Sequence, residues 1–358
     1  MNTFDLIKTL TETPGPSGFE GDIAAIIHEI WEPLVDELHQ DHVGSLVGIK
    51  YGRGNLPEGG KRPRILIAAH MDELGLMVTN ILDNNGHGFL RVVNLGGVDV
   101  RQLANQRVMV HGRRNIPGLL GALPASMLPA DKQDNAYDYE TLVVDTGLPF
   151  AELSKQVSIG DAISFHQPLR QLNGSNITGK ALDNRVSVAA VTIALENLQH
   201  QPHLWDVIVL ASCQEETRLL GAATTAYRYH PELAIAVDVT FGQGPSTSDP
   251  NSFILGDGPT ISHAPDVHPG VVAGLKKAAE SLEMKTQNEY AARGGGTDAY
   301  TMQIAHSGIP TGIVGIPCVI CTPWSRASTP RTWSEAADSS PNTLANSMAK
   351  PLVNCKKN

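Results

Sequence analysis

The alternation of hydrophobic and polar positions divides the first half of the chain into two parts with different predicted secondary structure. Helical periodicity covers residues 3–11 and about 20–32, and a strand pattern follows at 46–51. The continuous apolar run at 65–69 is typical of a strand that is buried on both faces. From residue 75 to 166, short Val- and Leu-rich segments alternate with Gly, Asn and Asp turns, which predicts a separate β-rich unit.

Beyond residue 166 the pattern returns to strands that alternate with helices. This order predicts an α/β fold with a mainly parallel sheet and helices on both faces, into which the β-rich unit is inserted. Active sites in such sheets lie beyond the carboxyl ends of the strands. The predicted strands are 207–211, 233–237 and 311–316, and the predicted helices are about 187–199, 220–227, 270–283 and 298–306. The predicted units are the first part of the α/β domain at 1–74, the insertion at 75–166, the second part of the α/β domain at 167–317 and a tail at 318–358.

Composition narrows the classes of partner. The 358 residues are 41% hydrophobic, and 37 acidic residues exceed 27 basic ones, which gives a formal charge of -10. This balance argues against nucleic acid and anionic membrane as partners, since both favour an excess of Lys and Arg. No apolar run is long enough to cross a bilayer, and residues 1–11 do not resemble a signal peptide, so we expect a cytoplasmic protein. Cys318 and Cys321 form a CxxC without the second pair that a four-cysteine zinc site needs.

Imidazole and carboxylate side chains stand next to predicted element ends at four places. Such ligands suit zinc, cobalt or manganese, and a carboxylate can bridge two ions with its two oxygens. Any one cluster alone is more often part of a solvated surface, but four of them in one α/β chain predict a metal centre. The four places are His70 with Asp72, Asp183, Glu215 with Glu216, and Asp238.

Two of these clusters suggest a division of roles. Asp72 lies two residues past His70, on the same face of the strand, and could fix the tautomer of a metal-binding imidazole. Of the adjacent residues Glu215 and Glu216, one could bind a metal ion while the other takes the proton from the attacking water. The residues alone leave open which glutamate does which.

Five segments resemble successive motifs of the M42 peptidases, the glutamyl, leucyl and deblocking aminopeptidases, some of which have been labelled cellulase or endoglucanase M. They occur in the family's order, and the resemblance extends over residues 1 to about 317. His-Met-Asp-Glu and Gly-Gly-Gly-Thr-Asp are the most specific of them. The segments are 69–75, 181–185, 214–216 with Gly221 and Ala222, 236–240 and 294–299.

The resemblance implies a fold, a chemistry and a set of residues. It implies a zinc-peptidase-like α/β domain interrupted by a β-barrel-like dimerisation domain, with dimers that assemble into a dodecamer. It implies two divalent ions, zinc or cobalt with manganese as a third candidate, and peptides that lose one residue at a time from a free amino end. By position, it implies four metal ligands, with Asp183 as the bridge between the ions: His70, Asp183, Glu216 and Asp238. It implies two catalytic residues: Glu215 as the general base and Asp72, which orients His70.

The resemblance ends at Pro317. There the family continues with Arg-Tyr-Met-His, whose His is the last ligand of the second ion, whereas this chain reads Cys-Val-Ile-Cys and has no His after His306. Codons can be chosen for residues 318–322 that, when read from the last base of the Cys318 codon, encode Arg-Tyr-Met-His. We therefore hypothesise that residues from about Val319 onward are translated out of frame, with a divergent genuine tail as the alternative. The chain as written would then lack one metal ligand.

Two other functions compete with the aminopeptidase. One is an inactive or one-metal scaffold, which the missing His favours. The other, less favoured, is a glycoside hydrolase, which needs two carboxyl groups about 5 to 9.5 Å apart across a sugar. Sensitivity to a chelator separates a metal-dependent peptidase from such a glycosidase.

Overall fold

A computed structural model describes most of the chain at the level of side chains. It describes residues 2–54, 60–122, 125–127, 138–244, 252–292 and 296–319, together with the backbone of 325–328. The helices are α1 Thr3–Glu12, α2 Gly21–Trp31, α3 Phe150–Gln156, α4 Leu182–Leu198, α5 Glu215–Arg218, α6 Leu220–Tyr229, α7 Pro269–Ser281 and α8 Asp298–Gln303. The strands of the sheet are β1 Glu37–Gln40, β2 Leu46–Lys50, β3 Arg64–His70, β10 Arg170–Gln171, β11 Asn176–Gly179, β12 Asp206–Ser212, β13 Leu233–Phe241, β14 Thr260–His263, β15 Gln287–Tyr290, β16 Thr311–Val319 and β17 Ser325–Ser328. The strands of the barrel are β4 Gly75–Asn84, β5 His87–Leu95, β6 Arg107–His111, β7 Asn115–Ala122, β8 Leu142–Pro149 and β9 Ala162–Phe165.

The sheet has a parallel centre and antiparallel edges. Its described strands follow the order β1-β2-β12-β3-β13-β16-β17-β11-β10, and β14 and β15 join beside β16. β12, β3, β13 and β16 run parallel to one another. These central strands are buried almost throughout, as expected where helices cover both faces. The predicted fold class is confirmed.

Two groups of helices bury the faces of this sheet. α1, α2 and α4 pack against one another, and α6 packs against α8. The apolar stripe of α1, Leu6, Ile7 and Leu10, faces the core, whereas α4 is buried along most of its length because it lies across β3 and β13. Leu66 and Val191 belong to the same large core.

The six barrel strands close on themselves in the order β4-β5-β8-β7-β6-β9 and enclose a second core. Closure leaves the barrel without an unpaired edge. The chain leaves the sheet at His70, the end of β3, and enters the barrel at Gly75. The barrel therefore begins within a few residues of the carboxyl edge of the sheet.

Some elements differ from the sequence prediction. β13 was predicted to end before Asp238, but it continues to Phe241 because its pairing with β16 extends to Cys318. α4 is assigned from Leu182, but Asp183 and Asn184 are not helical, so its regular part begins at Arg185, close to the predicted start near residue 187. β14 and β15 were not predicted, since short strands at the side of a sheet carry little periodic signal.

The predicted out-of-frame tail lies mostly outside the described residues. The exceptions are Val319, which is buried at the end of β16, and β17, whose backbone pairs with β16 and β11. Cys321 of the CxxC and the first two glycines of the Gly-Gly-Gly-Thr-Asp segment also lie outside the described residues. Across the part of the chain that is described, no helix is long and apolar enough to span a membrane.

Candidate metal centre

The carboxyl ends of three neighbouring strands lie at one level of the sheet. Ser212, the last residue of β12, pairs with His70, the last residue of β3. On the other side of β3, Ala236 pairs with Ala68, so Asp238 stands level with His70. Because these strands are parallel, side chains that are far apart in the sequence converge at this edge.

Three carboxylates surround one nitrogen of His70. The Nε2 atom lies 3.2 Å from Asp183 Oδ1, 3.7 Å from Asp238 Oδ1 and 3.8 Å from Glu215 Oε2. The His70 side chain is only 2% exposed, so water screens these contacts little. The imidazole is therefore the centre of a crowded acidic site.

Asp72 links the other nitrogen of His70 to the glutamate pair. Its Oδ1 lies 3.4 Å from His70 Nδ1, and its two oxygens accept hydrogen bonds from the backbone N–H groups of Glu215, at 3.0 Å, and Glu216, at 3.1 Å. Burial alone raises the pKa of Asp72, but the contacts with His70, Ser17 and the backbone of Glu215 together outweigh burial, so the pKa is lowered. Asp72 thus fixes both the imidazole and the start of α5.

The two glutamates stand on a helix of a single turn. Left-handed residues, Gln214 at φ 54° and Leu219 at φ 55°, bound α5 on both sides. A Cβ at Gly221 would lie 2.3 Å from Ser45 Oγ and 2.7 Å from Cys213 N, so only glycine fits where α6 begins beside the strand end. This tight packing against β12 explains the glycine that follows the glutamate motif.

Asp183 enters the site from the first turn of α4. Ala181 is left-handed, at φ 52°, and Asp183 itself is not helical, at φ -79° and ψ 106°, which separates its carboxylate from the body of the helix. The next side chain, Asn184, donates a hydrogen bond from Nδ2 to the carbonyl of Val237 at 2.9 Å. Because Val237 precedes Asp238, this bond holds Asp183 and Asp238 in register.

Burial and mutual repulsion raise the pKa values of several carboxyl groups. Burial, with the charge of Asp238, raises the pKa of Glu215 to about 10, although the charge of His70 opposes this. Burial, followed by the charge of Asp183, raises the pKa of Glu216 well above its ordinary value. Burial raises the pKa of Asp238 to about 7. A divalent cation among these groups would offset the repulsion and favour the charged forms.

The side chains form two groups that fit metal ions. Their ligand atoms lie within 4.8 Å of one another in each group, and imidazole with carboxylate donors is a set that zinc, cobalt and manganese accept. Both groups contain His70. Glu215 belongs to the group of Asp238, and Asp183 belongs to the other group. The groups are His70 with Glu215 and Asp238, and His70 with Asp183 and Glu216.

Two other histidines of the second half of the chain are engaged in contacts of their own. His263 Nε2 lies 3.1 Å from Asn288 Oδ1, and its ring stacks on Tyr290. His268 caps α7, where its Nδ1 accepts a hydrogen bond from Gly270 N. Among the described residues, neither belongs to a group that could hold a metal ion.

Several buried polar residues beside the centre have no role predicted from the sequence. Asp298, at the start of α8, accepts a hydrogen bond from the hydroxyl of Ser212, and its Oδ1 has no partner among the described residues. Burial raises the pKa of Asp298 to about 6. Glu73 and Lys180 form a buried ion pair. The available signal was position, since these four residues lie within or beside segments that resemble family motifs.

Comparison with known proteins gives a consistent family. Residues 53–324 match the family described as M42 glutamyl aminopeptidase. The chain is 31% identical to a lysyl aminopeptidase of Pyrococcus furiosus over 322 residues, which are 88% of this chain and 89% of that protein. Its structure is similar to that of an aminopeptidase from the archaeon Desulfurococcus kamchatkensis, with a TM-score of 0.85, 33% identity and coverage of 96% and 93% of the two chains. It is also similar to the Pyrococcus horikoshii TET1 peptidase, with a TM-score of 0.81, 27% identity and coverage of 96% and 99%.

Proposed function

Because the chain belongs to the M42 family of metal-dependent aminopeptidases, we propose that it removes amino-terminal residues from peptides with a dinuclear metal centre at the carboxyl edge of its sheet. The observation that carries this proposal is the convergence of Asp183, Glu215 and Asp238 on the Nε2 atom of His70. A glycosidase would need two carboxyl groups that face each other across a sugar, whereas these carboxylates all surround one imidazole.

We assign the ligands by the resemblance to the M42 family. His70 and Asp238 hold one ion, and Glu216 holds the second. Asp183 bridges the two, which is supported by its 3.2 Å distance from His70 of the first site and by its grouping with Glu216 of the second. Zinc and cobalt fit this mixture of nitrogen and oxygen donors best, and manganese is the third candidate.

Two divalent ions bound here would orient and activate the attacking water and polarise the scissile carbonyl. Glu215 accepts the proton of that water and returns it to the leaving amine, because its Oε2 lies on the ligand side of His70 and its carboxyl group is buried away from competing solvent. Asp72 holds the His70 ring through Nδ1 and holds α5 through two backbone N–H groups, so it fixes the distance between a ligand and the base.

The second ion has an incomplete ligand set in the chain as written. The family's last His has no counterpart, since no His follows His306, and His263 and His268 are hydrogen-bonded elsewhere. Loss of a nitrogen ligand weakens zinc and cobalt binding, so solvent would complete this coordination shell. Occupancy nearer one ion than two, and low activity, follow for this chain; an inactive one-metal scaffold is the second candidate function.

The proposal includes self-assembly. The Pyrococcus horikoshii TET1 peptidase can assemble into a tetrahedron or a large octahedral shell, and this chain aligns with 99% of it. We assign peptides as substrates and further copies of the chain as partners, with the inserted barrel as the main contact between subunits.

The test compares this chain with a version in which the reading frame after Pro317 is restored. Both are purified, loaded with zinc or cobalt, and assayed for bound metal and for hydrolysis of free and N-acetylated Lys, Leu and Glu p-nitroanilides. We expect about two ions per subunit and chelator-sensitive cleavage of the free substrates in the restored version, with less of both in the chain as written. Cleavage that survives removal of metal, or the absence of any activity in the restored version, would contradict the proposed function.

A further inference from the structure

A buried ion pair lies directly behind the metal centre. The ammonium of Lys180 is 2.7 Å from each carboxylate oxygen of Glu73, and the two side chains are 6% and 3% exposed. Glu73 Oε1 also accepts a hydrogen bond from Gly15 N at 2.9 Å, and the guanidinium of Arg185 lies 3.9 Å from the same oxygen. The carboxylate of Glu73 is therefore surrounded by fixed donors and has almost no access to water.

Each partner is covalently close to a proposed metal ligand or to its orienting residue. Glu73 follows Asp72, which holds His70, and Lys180 precedes Asp183 by three residues. The ion pair is thus a direct link between the segment after β3 and the segment before α4. One segment precedes the inserted barrel in the sequence and the other follows it, and both have to meet at one metal centre.

A small cavity separates the ion pair from two carboxylates of the centre. Its lining includes Glu73, Lys180, Asp183 and Glu216 together with Phe165 of the barrel. The cavity has a volume of about 10 Å³, close to what a single water molecule needs. Polar groups line it, so a water there would connect the ion pair to Asp183 and Glu216.

Resting on the proposed function, we propose that Glu73 and Lys180 are positioning residues that set the metal affinity of the Asp183 and Glu216 side of the centre. They touch neither substrate nor ion; they act by fixing the separation of Asp72 and Asp183. Removal of such an outer partner typically costs 10- to 100-fold in metal affinity.

Stability and positioning can be separated because of the energetics of buried charge. Removing one partner leaves the other charge uncompensated and unfolds or weakens the protein, whereas replacing both removes that penalty. In the double variant Glu73→Gln with Lys180→Met, the glutamine oxygen can still accept from Gly15 and the methionine fills the space of the lysine. If the pair only stabilises the fold, the double variant should bind metal normally.

All variants are made in the chain with its reading frame restored after Pro317, here called the unmodified chain, because the second site is incomplete in the chain as written. The test titrates zinc into the metal-free protein and records the visible absorption of the cobalt form. We expect the double variant to melt within a few degrees of the unmodified chain, to bind zinc at least 10-fold more weakly and to show an altered cobalt spectrum. Lys50→Met is the matched control, because Lys50 is equally buried but pairs with Val207 at the opposite end of β12; its zinc affinity should not change.

Lys180→Arg is the second variant, since it keeps the charge but replaces a compact ammonium with a planar fork. If the double variant does not fold, this variant should fold and still bind zinc more weakly. Unchanged zinc affinity in either folded variant would overturn the inference. If the unmodified chain and Lys50→Met also bind no zinc, the proposed function itself fails, which is a different outcome.

Discussion

At the scale of single residues, His70 is the point on which the proposed chemistry depends. Its two ring nitrogens face different partners: Nε2 faces the acidic side chains from three other segments, and Nδ1 faces Asp72. A ring held in this way has one nitrogen available for an ion and the other fixed by Asp72, whose backbone carbonyl lies 3.3 Å and whose carboxylate lies 3.4 Å from Nδ1. Outer partners of this kind are usual for a metal-binding histidine.

Glu215→Gln should remove the proposed base and leave the ligands in place. We expect hydrolysis to fall by about 10²- to 10⁴-fold, because the amide cannot accept the proton of the attacking water. Metal content, measured alongside activity in the frame-restored chain, should stay near that of the unchanged protein. Loss of an ion together with activity would instead make Glu215 a ligand, as its place beside His70 and Asp238 allows.

Asp183→Ala should weaken the binding of both metal ions. The side chain lies beside both His70 and Glu216, so its removal takes a donor from each proposed site. In the frame-restored chain, equilibrium dialysis against zinc should find weak binding at both sites for Asp183→Ala, whereas Glu216→Ala should spare the site of His70 and Asp238. Two tightly held ions in Asp183→Ala would rule out the bridging role.

The pH dependence of stability should show the raised pKa of Asp238. Burial raises this pKa from the ordinary 3.8 to about 7, so between these values the metal-free folded protein binds more protons than the unfolded chain. Stability from this group is therefore fully present below about pH 4 and is lost as the pH rises through 7. The melting temperature of the metal-free protein minus that of Asp238→Asn should decrease over this window. Parallel curves for the two proteins would contradict the assignment.

At the scale of elements, strand pairing decides where each side chain points. β13 continues three residues past Asp238 because β16 accompanies it to Cys318. Asp238 is consequently held by a ladder of hydrogen bonds on one side and by the Asn184 contact to Val237 on the other. A carboxylate inside a strand is more rigid than one in a loop, which suits a metal ligand.

Gly315→Ala should disturb this element. Gly315 pairs with Asp238, and a Cβ there would lie 2.3 Å from Thr260 Oγ1 and 3.0 Å from Thr240 Cγ2. We expect the free energy of unfolding to drop by about 1–3 kcal/mol, typical of overpacking, as measured by urea denaturation. Gly21→Ala is the control, since no atom lies within 4 Å of its added Cβ, and it should be neutral or slightly stabilising. Equal stability of both variants would refute the packing argument.

At the scale of the whole molecule, the barrel and the sheet are two cores joined at one edge. The barrel core, with Leu76, Val110 and Val144, is a separate hydrophobic cluster from that of the sheet. The first and last strands of the barrel are adjacent, because Gly75 of β4 pairs with Ser164 of β9. Such an insertion can be removed without stretching the chain that remains.

Replacing residues 75–166 with a short glycine linker should leave a folded α/β unit that no longer assembles. The sheet keeps its own core, while the proposed subunit contact is lost with the barrel. Circular dichroism should retain the helical signal, and sedimentation velocity should find monomers. An oligomer of the original size after the deletion would argue against the barrel as the main contact.

The sequence by itself determined the class of the fold and the family. The buried run before His70 and the alternation of strands with helices are local signals, because side-chain periodicity follows from the geometry of one element. The motifs around His70, Asp183 and Asp238 carried the resemblance that the comparisons then confirmed. The metal roles of these residues stay predictions until metal binding is measured.

Only the tertiary structure decided which distant groups meet. The Glu73 and Lys180 pair, the hydrogen bond from Ser212 to Asp298 and the extension of β13 depend on the register of parallel strands and on burial, neither of which leaves a periodic trace in the sequence. From the sequence alone, a charged residue is predicted to be exposed to solvent, since burial of a charge is favourable only beside a compensating group. That compensation is a property of the folded arrangement.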